Sequence, residues 1–113
     1  MTYSPLDWRI SKTVMELVKA LCADYPRRKR LIDCKFRTKT TDEDVIKLKE
    51  INDNIDAALE CVDEGLRSYI LYDIANGNGY NKSMASPYIR KDTYYKQKNN
   101  AILHMALRFH YIL

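Results

Sequence analysis

Apolar residues in the first quarter of the chain return every three or four positions: Leu6, Ile10, Val14, Leu17, Val18 and Leu21. That is the period of a helix with one buried face, and it predicts a helix over residues 6–23. The stretch "DYPRRKRLIDCKFR" breaks the rhythm and restarts it. Asp24 can cap, and Pro26 sits where its missing N–H is tolerated, so a basic helix over 26–36 follows, burying Leu31, Ile32 and Phe36. Thr41 then opens the longest periodic segment, with Asp42, Glu43 and Asp44 placed favourably against the helix dipole. Val45, Leu48, Ile51, Ile55, Ala58, Leu59 and Val62 carry its apolar face over residues 42–62. Such a seam suits either an arm of a helical hairpin or a homodimer contact. Asp63 and Gly65 interrupt it, and a shorter helix over 64–75 buries Leu66, Ile70, Leu71 and Ile74. "NGNGY" is the clearest turn, because Gly77 and Gly79 tolerate positive φ. Asn81 can cap a very short helix over 81–86 that Pro87 ends. Asp92 or Thr93 caps the last helix, 92–110, whose tail buries Ala101, Ile102, Met105, Ala106 and Phe109.

These elements predict an all-α fold of five to six helices in a single domain, 1–113, since 113 residues allow one modest core. Three glycines and three prolines are too few for the turns of an all-β fold. No apolar run reaches the roughly 18 residues of a membrane span, and the polar, acidic start "MTYSPLDWRI" is unlike a secretory signal, so a cytoplasmic protein without a membrane partner is expected. Cys22, Cys34 and Cys61 are odd in number and form no C-x-x-C pair, which fits thiols in a reducing compartment.

Charge changes the picture more. Residues 25–40 carry seven basic side chains and one acidic, residues 41–75 three against ten, and residues 76–113 six against one. Two basic blocks flanking an acidic one suit a polyanionic partner if the fold brings the basic blocks to one face. Chemistry of other kinds finds little support. His104 and His110, six apart, fall on different helix faces and cannot share a metal; "GNG" lacks the spacing of a phosphate loop. No enzyme, metal or cofactor is expected. The last helix, "KDTYYKQKNNAILHMALRF", is more telling: polar, cationic and aromatic at its head, apolar at its tail. Tyr94 and Tyr95 point about 100° apart, so one can pack while the other stands out. Such a head suits a helix that reads DNA.

The segment "SPYIRKDTYYKQKNNAILHMALRF" resembles the C-terminal helix-turn-helix of ArpU-type phage late transcriptional regulators, and more loosely the related RinA type. Two tyrosines open the last helix, a basic stretch follows, then Ala101-Ile102 and Met105-Ala106. "LRSYILY" and "ALCADYPRRKRLI" are similar to earlier parts of the same pattern. The resemblance implies a sigma region-four-like helix-turn-helix within residues 64–113, preceded by N-terminal helices with a basic segment (1–40) and a long acidic helix (41–62). It departs in its short support segment, "NKSMAS", and in Gln97 where an apolar residue would face that support. The function it implies is phage or mobile-element transcription regulation. Lys91, Thr93, Tyr95, Lys96, Asn99 and Asn100 would meet double-stranded DNA, and Arg27, Arg28, Lys29 and Arg30 would supply phosphate contacts. The alternative is a small interaction protein that binds RNA polymerase, a sigma factor or another regulator without reading DNA.

Overall fold

A computed structural model describes residues 6–34 and 41–113. Five α-helices are present among them and no strand: α1 (Lys12–Ala23), α2 (Tyr25–Asp33), α3 (Asp42–Ala58), α4 (Arg67–Asn76) and α5 (Lys91–Arg108). The all-α class is as the periodicity predicts. Phe36, expected in the core, lies outside the described residues.

Each helix begins and ends for a local reason. Ser11 caps α1, its hydroxyl accepting from the Val14 N–H at 3.1 Å. Thr41 does the same for α3 through the Asp44 N–H, as its position before three acids suggests. Asp24 does not cap α2 with its side chain; its carboxylate instead takes Arg27 and Arg28. α3 stops at Ala58, four residues short of expectation, and tightens into a 3-10 turn, Leu59–Cys61. A second 3-10 turn, Glu64–Leu66, leads into α4. α4 ends on Gly77 at φ 68°, the left-handed conformation that glycine adopts without a Cβ penalty.

The expected helix over 81–86 is not formed. Two 3-10 turns, Tyr80–Lys82 and Ser86–Tyr88, stand in its place. The Ser83 side chain explains part of this: its hydroxyl accepts from the Ala85 N–H at 3.0 Å, a local bond that competes with helical pairing. Pro87 adds a residue with no N–H to give.

Packing places α5 at the centre. α1 lies along α4, α2 along α3, and α5 touches α1, α3 and α4. Val18 and Cys22 from α1, Ile55 and Ala58 from α3, Ile70 and Ile74 from α4 and Ala101, Ile102, Met105 and Ala106 from α5 form the buried core. Of the expected cluster, Ile70, Ile102 and Met105 are fully buried, while Leu71 and Phe109 are half-buried. Part of the expected seam is used within the chain: Ile55, Ala58, Leu59 and Val62 are covered, while Val45, Leu48 and Ile51 are half-buried.

Candidate nucleic-acid interface

Two contacts fix the direction of α5 against α3. Gln97 Oε1 accepts from the Asp63 N–H at 3.2 Å, and Arg108 Nη1 donates to Asn54 Oδ1 at 3.0 Å. The helices are therefore antiparallel, and the head of α5 projects past the end of α3. Gln97 has a role of its own here: it satisfies a backbone donor exposed by the break after α3.

Helical spacing sorts the head of α5 into faces. Tyr94 faces inward and is fully buried, its hydroxyl donating to Asp73 Oδ2 at 2.9 Å. Burial, and then the Asp73 carboxylate, push that phenol above its usual range. Lys98, one turn on, donates to the Asn78 carbonyl at 2.6 Å and lies over both tyrosine rings. Burial pulls its ammonium below the ordinary lysine range, with Asp73 opposing. Thr93, Lys96 and Asn100, at spacings of three and four, share the opposite face, with Asp92 and Asn99 beside them. Lys96 is exposed; the Thr93, Asn99 and Asn100 side chains are half-buried. Lys91 is exposed at the first turn.

Tyr95 does not stand out as the reading of the last helix expects. Its ring packs edge-on against Tyr94 at 5.1 Å, and its hydroxyl accepts from the Tyr80 N–H at 3.2 Å. It is the clasp between the 3-10 segment and α5. Gly79 leaves room for it: a Cβ there would fall 2.9 Å from the Tyr95 hydroxyl, which would have to shift. Both tyrosines are thus committed inward, and with Lys98 they anchor the irregular segment 77–90 on α5.

Arg28 also departs from its expected role. It is 4% exposed, donating through Nε to Asn52 Oδ1 at 2.7 Å and through the guanidinium nitrogens to Asp24 and the Leu21 carbonyl. It locks α2 to α1 and α3 and has no surface to offer a phosphate. Arg27 is exposed but paired with Asp24 at 2.6 Å; Lys29 and Arg30 are exposed. Lys35, Arg37 and Lys39, the rest of that basic block, lie outside the described residues.

Among the described residues, the cations of α2 lie far from the head of α5. α2 rests on α3 near Asn52 and Asp56, at the level of Arg108. At 1.5 Å per residue, Lys91 is roughly 25 Å farther along α5. The residues that do gather at the head of α5 are ones the sequence did not single out: Lys82, Arg90, Met84 and Tyr88, all exposed. Arg90 lies 3.7 Å from Asp92. Their signal was available in "NKSMASPYIRK", where a proline and an aromatic stand one residue before two cations.

A second feature is an open, largely apolar groove of about 330 Å³ between the α1–α2 corner and α4, lined by Cys22, Ala23, Pro26, Leu71, Tyr72 and Ala75 among others. No group of three metal-ligating side chains occurs among the described residues, and no helix among them is long and apolar enough to cross a membrane. Compared with known proteins, the chain matches no family model, no curated protein and no solved structure.

Proposed function

We propose that the chain is a DNA-binding transcription regulator whose contact surface is the outer face of α5's head together with the 3-10 segment before it. The observation that carries this reading is the exposure of Lys82, Arg90, Lys91 and Lys96 in the 3-10 segment and the first two turns of α5, where Thr93 and Asn100 share a helix face with Lys96, with Asp92 as the one acid among residues 76–113. Cations of that density supply the sequence-independent part of binding, and hydroxyl and amide side chains can meet base edges. The motif resemblance to ArpU-type regulators points the same way. Tyr95 and Arg28 leave the set of contacts, and Lys29 and Arg30 can reach only a distant phosphate.

The test is a competition titration against specific and random duplexes at several salt concentrations. Lys96→Ala and Asn100→Ala are expected to cost about 1–3 kcal/mol each on the preferred site and less on random DNA. Lys82→Ala and Lys91→Ala are expected to weaken all sequences alike, each lowering the salt slope by about one. Wild type that shows no salt-dependent binding ends this reading.

A second reading rests on a different observation, the apolar groove beside α4. A protein surface such as RNA polymerase, a sigma factor or another regulator would bury Tyr72 there, and Tyr72→Ala would then abolish capture without touching DNA affinity.

A further inference from the structure

Tyr88 is 71% exposed and Met84 66%, and neither side chain serves the core. Large apolar groups left in water on a flexible loop would be unremarkable. This segment is instead held at both ends. The Tyr80 hydroxyl lies 2.9 Å from the Ser86 carbonyl and 2.6 Å from the Ile89 carbonyl, so one phenol clamps the turn on either side of Tyr88. The Tyr88 N–H donates to the Ala85 carbonyl at 2.9 Å, and Pro87 fixes φ between them. Ser83 and Ala85 are buried, and Tyr80 packs edge-on against Tyr94 at 5.3 Å. The result is an aromatic ring displayed on a rigid mount. Lys91 is three residues away, hence within about 11 Å of it along the backbone, and Lys82 and Arg90 are exposed in the same segment.

An exposed aromatic on a fixed backbone beside several cations has a specific use. A planar ring stacks on the face of an unpaired base, the cations hold the flanking phosphates, and little conformational entropy is lost because the mount is already ordered. A fully paired duplex keeps its base faces inside the stack and offers Tyr88 nothing but a backbone.

Resting on the nucleic-acid reading above, we infer that Tyr88 is a stacking residue for an unpaired base, so that this surface takes single-stranded or locally melted DNA in preference to fully paired DNA. Met84 supplies the neighbouring apolar contact.

Fluorescence anisotropy with three labelled probes tests it: an oligothymidylate, a duplex with a central unpaired bubble, and the same duplex fully paired. Tyr88→Ala is expected to lose about five- to 150-fold in affinity for the first two and less than about two-fold for the third. Tyr88→Trp retains or improves binding to the unpaired probes, which a merely structural role for the hydroxyl would not allow. Lys91→Ala weakens all three. Because the Tyr88 side chain is exposed, the variants should keep the wild-type circular dichroism spectrum. Equal losses by Tyr88→Ala on paired and unpaired probes would mean that the ring acts as a wedge in duplex DNA, and would overturn the inference. So would unchanged affinity for all three while Lys91→Ala still weakens them, an outcome that leaves the DNA-binding reading standing. Wild type that binds none of the probes removes both.

Discussion

Asp73 is 1% exposed and still carries a carboxylate, a placement that costs stability unless the group is well supplied with donors. Its donor is the Tyr94 hydroxyl, and Lys98 lies close enough for Asp73 to influence its titration. Tyr94→Phe keeps the ring and removes the donor, so it is expected to destabilise the fold by about 1–3 kcal/mol in urea titration, although no contact with a ligand is lost. Titration adds a second expectation at this scale. Burial pushes the Cys22 thiol up to about 12, and burial with the Asp56 hydrogen bond pushes the Tyr25 phenol up to about 12. Below about pH 8.5 both groups are protonated in the folded and the unfolded chain, and their contribution to stability is fully present. As pH rises from there through about 12, the unfolded chain releases protons that the folded chain keeps, and stability falls. Lys98 acts in the opposite direction, its folded-state ammonium being the more easily deprotonated. Urea midpoints should therefore decline between about pH 8.5 and about pH 10.5, and Cys22→Ala should flatten that decline. The same burial leaves Cys22 less reactive toward alkylating reagents at neutral pH than the exposed Cys34, with Cys61, whose thiol burial also pushes up, between them.

At the scale of elements, the segment between α4 and α5 is held by side chains where a helix would be held by its own backbone. Tyr80, Tyr95, Lys98 and Ser83 each bond to a main-chain atom of residues 78–89. Gly79→Ala is the sharpest probe of this, since its Cβ would meet the Tyr95 hydroxyl. We expect a loss of about 1–2 kcal/mol, from the broken Tyr80–Tyr95 bond and the displaced ring, with the 3-10 segment exchanging its amide protons faster than α5 does. Gly77→Ala should cost a similar amount for a separate reason, the strain of a left-handed residue with a side chain. The α-helices were legible from apolar spacing and caps, α3 and Thr41 most plainly. The 3-10 segment was not. "NKSMAS" carries helix formers, and the local bond of Ser83, Pro87 and the longer reach of the Tyr80 hydroxyl to Ser86 and Ile89 decide against them. Tyr95 was misread for a related reason: spacing tells which of two adjacent tyrosines faces the core, but not that the other is claimed by a loop lying over it.

Over the whole molecule, the basic residues divide by location into those that build and those that face outward. Arg28→Ala is expected to destabilise the fold by about 1–3 kcal/mol, because it leaves Asn52 and the Leu21 carbonyl without their donor. Arg30→Ala, on the exposed side of the same helix, should leave the urea midpoint unchanged within about 0.5 kcal/mol. Both variants should leave binding at the head of α5 within a small factor of wild type. A charge count could not have separated these two arginines, since both belong to "RRKR" and differ only in the direction that α2's packing gives them.

The contact between Cys22 and Met105 joins sulfur atoms 3.4 Å apart across 83 positions of the chain. It bears on the timing of synthesis. α1 emerges from the ribosome early and α4 can cover part of its buried face, yet Cys22 has no Met105 to pack against until α5 follows. A nascent chain stopped before residue 101 would expose Val18, Cys22, Ile55 and Ile70 together, a surface that invites chaperones and aggregation. The closing of the core and the completion of the α5 head are thus one late event, and an unfinished chain has neither.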